Sequence, residues 1–229
     1  MTFVLKSVVP WGRSFEEYIA MFSLSEEDLC CSILGCGDGP AGFNARMKEL
    51  GHRVVSCDPL YQFSHTQIDC AIHAARDEVM QQVRENRENF VWKNIRSPAE
   101  LEQVRMGAMR EFLADFASGR AEGRYLAAML PDLPFHDRKF DLCLSSHFLF
   151  LYDSLGPDFH ISSILEMARV AHEVRVYPLV NTNGKQAEFF DDVMNQIRTS
   201  GLMAQTEPVR YDFIRNGGQM LRILHTTDD

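Results

Sequence analysis

A chain of 229 residues, 45% hydrophobic and 24% charged, can bury a substantial core, which excludes a disordered chain and a small disulfide-stapled scaffold. Its net charge of −9, with no long Lys/Arg run, opposes contact with a nucleic-acid backbone. No apolar stretch approaches the length of a bilayer span, so no membrane partner is expected. Residues 1–6 lack a basic region followed by a sustained apolar core, so no export signal is expected. Six cysteines without Cys-x-x-Cys spacing read as free thiols of a reduced cytoplasmic protein without structural zinc.

Near the N-terminus, Trp11-Gly12-Arg13 precedes Ser14, and Glu17 three residues on completes a capping box. Ser25 and Asp28 repeat the pattern, so residues 8–28 are read as N-terminal cap helices. Residues 33–42, Ile-Leu-Gly-Cys-Gly-Asp-Gly-Pro-Ala-Gly, then read as a buried strand breaking into a glycine loop. A helical run over residues 43–50 stops at Gly51, and a second apolar strand over 53–57 ends on Asp58. This strand, glycine loop, helix, strand and acid suit an adenosine-bearing cofactor. Glycine lets backbone approach a ligand, the helix N-terminus offers free N–H groups, and the acid can grip a ribose diol.

Two registers of the loop compete. Gly37, Gly39 and Gly42, with Asp58 about twenty residues on, fit a dinucleotide fingerprint. Gly35, Gly37 and Gly39, directly after the strand, also account for the glycine at the strand end, which the first register leaves unexplained.

Residues 64–122 carry apolar positions at helical spacing (Ile68, Ile72, Val79, Met80, Val83, then Leu101, Val104, Met109, Phe112, Phe116), divided by Pro98. They predict a helical insertion between strands, its stripe serving core packing and its position suiting a lid. Strands are expected at 124–129, 140–145 and 173–177, with helices at 161–170 and 185–200. Residues 209–214 and 220–224, separated by Asn216-Gly217-Gly218, signal a terminal hairpin. Alternating strands and helices imply a parallel, helix-covered sheet, an α/β fold.

The Gly35-x-Gly37-x-Gly39 loop, Asp58, the block Leu133-Pro134-Phe135 to Phe140-Asp141-Leu142 and the terminal hairpin together resemble class I S-adenosylmethionine (SAM) dependent methyltransferases. With Trp11-Gly12-Arg13 and Ser145-Ser146-His147, the chain is similar to bacterial proteins described only as methyltransferase-like. The resemblance implies one SAM-binding domain over residues 1–229: a mostly parallel Rossmann-like sheet with a C-terminal antiparallel hairpin and a helical insertion after the second strand. It also implies that Gly35, Gly37 and Gly39 hug the methionyl part of SAM and that Asp58 takes the ribose hydroxyls. The family's adenine-contacting acid falls at Met129, leaving Met129 to pack on the ring and Leu130 to offer its backbone N–H. Ser145, Ser146 and His147 are expected to face the crevice beyond the strand ends.

No motif names the acceptor or an oligomeric state. Direct SN2 transfer to a small molecule needs in-line alignment, and a base only if the nucleophile must lose a proton. Tyr177, His147 and Ser146 are the catalytic candidates, while His160 reads rather as a cap or packing residue. Trp11 is a candidate lid over the crevice, and Arg13 a partner for the SAM carboxylate. Still open are an enzyme that cyclises or cleaves the aminobutyryl arm of SAM and releases methylthioadenosine, a non-catalytic SAM binder, and a dinucleotide oxidoreductase.

Overall fold

The computed structural model describes residues 9–226; residues 1–6 and Val8 lie outside that range. Its strands are β1 (Ile33–Cys36), β2 (Val54–Cys57), β3 (Tyr125–Leu126), β4 (Phe140–Ser146), β5 (Ala171–Tyr177), β6 (Leu202–Pro208) and β7 (Gln219–His225). They form one seven-stranded sheet in the order β3-β2-β1-β4-β5-β7-β6. The pairings from β3 through β5 are parallel, and β7 runs antiparallel between β5 and β6. A dinucleotide fold places its sixth strand parallel at that edge, so the reversed β7 favours the methyltransferase-like expectation.

Capping chemistry decides where the first helices begin. In α1 (Phe15–Phe22) and α2 (Glu26–Cys30) the reciprocal boxes Ser14/Glu17 and Ser25/Asp28 both form, satisfying N–H groups that a helix start leaves free. After α3 (Phe43–Glu49), the insertion supplies α4 (His65–Glu85) and α5 (Pro98–Ala121). Pro98 sits at the first turn of α5, where its missing N–H costs nothing. Helices α6 (Pro157–Val170) and α7 (Phe190–Thr199) complete the set.

Two apolar clusters lie on the two faces of the sheet. One, against α1 and the end of α4, includes Leu142 and Leu144; the other, against α6 and α7, includes Cys143. A third cluster of Tyr61, Ile68, Ile72, Met109, Phe112, Phe116 and Tyr125 joins the insertion to the β3 edge.

Three boundaries differ from expectation. The strand expected over 124–129 pairs only at Tyr125 and Leu126, because the Ala128 N–H then turns back to Leu126 O (2.9 Å). The helix expected from Lys185 starts at Phe190, since the Lys185 backbone is bonded both ways with Asn181 in a loop. The first arm of the hairpin is Leu202–Pro208, not 209–214. Residues 209–214 cross instead to the insertion, where Val91 N donates to Phe213 O (2.8 Å) and Phe90 bridges Ile214. Their alternation of apolar residues reflects burial of Tyr211, Phe213 and Ile214, not a ladder in the hairpin.

Candidate functional site

The carboxyl ends of β1 and β2 open into the glycine loop. Gly37 (φ +69°) and Gly39 (φ +54°) occupy the left-handed region that side chains rarely adopt. A Cβ on Gly37 would also come within 2.9 Å of the Phe148 ring. Asp58, ending β2, accepts from Gly39 N (2.8 Å) and Leu60 N (2.7 Å). Burial raises its carboxyl above the ordinary range, and these two N–H groups oppose that.

Asp38 lies beneath the loop. It accepts from the Tyr18 hydroxyl (2.8 Å) and the Ser56 hydroxyl (2.6 Å), and Ser56 in turn accepts from Asn44 Nδ2 (3.0 Å). Burial pushes Asp38 up to about 6, against the pull of both hydroxyls. Gly35 makes room for this group, since a Cβ there would lie 1.9 Å from Asp38 Oδ2.

Residues 11–13 strap the loop from above. Gly42 N donates to Arg13 O (2.9 Å), and Gly12 is so close to Pro40 that a Cβ would meet its oxygen at 2.0 Å. The Arg13 guanidinium donates to Trp11 O, and its Nε is buried without a partner. Burial and then the charge of Arg105 lower Arg13 to about 10.

Beyond β4, His147 takes a left-handed turn (φ +53°) and donates its N–H to Tyr177 O (2.6 Å). That conformation is uncommon outside glycine and recurs at functional sites. His147 is 8% exposed; its Nδ1 lies 3.0 Å from Ser146 Oγ and its Nε2 has no partner. Burial, then the charges of Arg13 and Arg105, hold the imidazole well below the usual histidine range.

Arg105, fully buried on α5, bonds Glu17 and donates to the Tyr211 hydroxyl (3.2 Å), which donates to Glu17 Oε1 (2.5 Å). Burial pushes the Glu17 carboxyl up, but Arg105 and Arg13 outweigh it and hold Glu17 below the carboxylate range. The Arg105 Nε has no partner.

All of this surrounds a cavity of about 450 Å³, within the ~300–1,000 Å³ typical of small-molecule sites. Gly37, Gly39, Asp38 and Asp58 line one part of it, Arg13, Arg105 and His147 another, and Val79, Val83, Phe90, Leu101, Phe213 and Ile214 supply apolar wall. Exposed Met129, Phe63 and Leu155 also line it. Among the described residues no group of three or more His, Cys, Asp or Glu side chains is placed to hold a metal ion. Nor is any helix among them long and apolar enough to cross a membrane.

Of the candidates read from the sequence, Trp11, Arg13, Gly37, Gly39, Asp58, Met129, Leu130, Ser146 and His147 line this cavity. Three do not. Gly35 makes room for the Asp38 carboxylate. Ser145 is fully buried, on the opposite face of β4 from Leu144, because successive side chains alternate. Tyr177 is 1% exposed, and its hydroxyl donates to Tyr211 O (3.3 Å), so residues 209–214 cover the strand end expected to be open. His160 is buried among aromatic rings with Nδ1 against Gly156 O (2.6 Å), a packing residue as expected.

Sequence reasoning misses Arg105 and Asp38. Arg105 does carry a signal: it shares a helix face with Leu101, Met109 and Phe112, and a cation on an apolar stripe needs a reason.

No protein-family model matches the chain. Two solved structures similar to it are of the magnesium protoporphyrin IX methyltransferase of Synechocystis PCC 6803. The form with bound SAM is 12% identical, covering 93% of this chain and 78% of that one, with a TM-score of 0.50. The form with bound SAH is 12% identical, covering 92% and 81%, again with a TM-score of 0.50. At such identity the likeness is one of architecture: this is the class I SAM-dependent methyltransferase fold. Within it, the chain belongs to the same family as the uncharacterized protein MJ0045 of Methanocaldococcus jannaschii, 30% identical over 221 residues, 96% of this chain and 97% of that one.

Proposed function

We propose that this protein is a methyltransferase that binds SAM at the carboxyl ends of β1, β2 and β4 and methylates a small molecule by direct SN2 transfer. The observation that carries the reading is the meeting of Gly37, Gly39 and Asp58 at one part of a largely apolar cavity. The residues fit the group. The two left-handed glycines leave the loop backbone bare toward the cavity, as close approach of a ligand requires. Each Asp58 oxygen already accepts one N–H and keeps a further lone pair for a ribose hydroxyl. SAM supplies an electrophilic methyl carbon on a sulfonium.

Met129 packs against the adenine and the Leu130 N–H serves its edge. Arg13, whose buried Nε is unpartnered, receives the methionyl carboxylate, and Trp11 covers it. Arg13 and Arg105 share the one Glu17 carboxylate, and a second anion, the ligand's, offsets the cost of the extra buried charge. The net charge of −9 and the apolar walls favour a small molecule over nucleic acid, and the free cysteines suit the cytoplasm.

Incubating the pure protein with SAM, alone and with candidate acceptors, and identifying the nucleoside formed tests this. S-adenosylhomocysteine should appear only when an acceptor is present. Methylthioadenosine accumulating from SAM alone would replace methyl transfer with cyclisation or cleavage of the aminobutyryl arm. Calorimetric titration showing tight NAD binding and no SAM binding would overturn the cofactor assignment.

A further inference from the structure

The cavity sorts its charges into one part. Arg13, Asp38 and Asp58 line it at the glycine loop and the strap over that loop, the part assigned to the cofactor. In the remaining lining, among the described residues, Arg105 is the one permanently charged side chain, and it is closed to a ligand. It is 1% exposed, bonds Glu17 and donates to the Tyr211 hydroxyl (3.2 Å), and its guanidinium lies 5.9 Å from the Phe213 ring centroid. His147 lines the cavity with its Nε2 likewise closed off. Burial, then the charges of Arg13 and Arg105, keep that ring uncharged at neutral pH. The hydroxyl of Tyr152, also in the lining, accepts from Val9 N (3.2 Å).

What this part of the cavity offers instead is an apolar wall, assembled from three segments. Val79 and Val83, one helical turn apart, come from α4. Leu101 comes from α5, one turn before Arg105. Phe90, Phe213 and Ile214 come from the contact between the insertion and residues 209–214, where the Phe90 and Phe213 rings stack at 5.0 Å. All six line the cavity and belong to one apolar cluster. An ionised group laid against such a wall loses its hydration and meets no counter-ion, which is costly.

We propose that the acceptor is an apolar molecule whose body carries no charge, so that an ionised atom, where it has one, is the reacting atom beside the sulfonium. The proposal rests on the methyl-transfer reading and narrows it to a substrate class. It sets aside free amino acids, sugar phosphates and nucleotides, because each brings a charge remote from the atom that takes the methyl group. It admits aromatic or alkyl compounds with a single polar head. Val83, Leu101 and Phe213 are then specificity-determining residues: they exclude charge by supplying no partner for it.

Three probes with one head and different tails test this. Calorimetric titration of the protein saturated with S-adenosylhomocysteine, which has no sulfonium and permits no turnover, compares 4-propylphenol, tyramine and 3-(4-hydroxyphenyl)propionate. The first has a neutral tail, the second a cationic one and the third an anionic one. 4-Propylphenol should bind at least about ten-fold more tightly than either charged probe. A smaller preference, a preference for a charged probe, or no binding of 4-propylphenol overturns the proposal while the methyltransferase reading stands. Val83→Ala should weaken 4-propylphenol by about 4-fold or more, the worth of a buried methylene. Unchanged affinity in that variant places the probe elsewhere and also overturns the proposal. If S-adenosylhomocysteine itself does not bind, the earlier reading fails instead.

Discussion

The glycine-loop part of the cavity and the part around Arg105 are built in opposite ways. At the loop, Asp58 is held by N–H groups only 2 and 19 residues away. Across the cavity, Arg105 meets Glu17 over 88 residues and Tyr211 reaches Glu17 over 194. The first arrangement follows from backbone conformation within a single strand–loop–helix–strand unit. The second exists only once α1, α5 and the segment after β6 have closed on one another. A charge change in the second should therefore act mainly on stability, and one in the first mainly on ligand affinity.

The largest effect tests the distant region. Glu17→Leu removes the carboxylate that balances Arg105 and leaves a buried guanidinium unpaired. It should cost about 3–5 kcal/mol of folding stability, read from the midpoint of urea unfolding. An unchanged midpoint would break the contrast between the two regions.

Asp58→Ala addresses the loop. It should weaken SAM binding by about 1.5–3 kcal/mol, the loss of charge-assisted hydrogen bonds to the ribose, measured calorimetrically. Normal binding by a folded variant places the cofactor elsewhere.

Asp38 sharpens the comparison, since it belongs to the loop yet is bonded to α1 through Tyr18. Its carboxyl is raised from 3.8 to about 6 by burial. Between those values the folded state holds the proton more tightly than the unfolded one. Its contribution to stability is therefore complete below about 3.8 and lost as pH rises through about 6. Relative to the wild type, Asp38→Asn should gain on the order of 2 kcal/mol above pH ~7, a gap that closes toward pH ~4. Thermal melts across that range give the answer; a gap independent of pH removes Asp38 as a titrating group.

The smallest expected change is in hydrogen exchange. Residues 11–22, α4 and α5 should exchange more slowly with SAM bound, because they strap and wall the cavity. Identical protection with and without SAM in all three counts against a lid.

Several features are legible in the amino-acid sequence alone. The capping boxes at Ser14 and Ser25 need only neighbours three residues apart, and the Gly37/Gly39 loop with Asp58 needs only one local unit. The expectations that fail have a shared cause. The rule that strand ends face the crevice places Tyr177 and Ser145 there, but residues 209–214 fold over the first and strand alternation turns the second away. The same segment imitates a hairpin arm because an apolar alternation records which side is buried, not which strand lies beside it.

The amino-acid sequence by itself determined the class of fold, the glycine loop that ends the first strand and the acid that ends the second. Each depends on backbone conformations and spacings a few residues long, which glycine, proline and capping side chains dictate directly. Only the tertiary structure decided that Arg105, Glu17 and Tyr211 form one buried network, that Asp38 occupies the space over Gly35, and that His147 lines the cavity while Ser145 and Tyr177 do not. Those outcomes depend on charges and hydroxyls from distant segments satisfying one another in a medium that water does not reach.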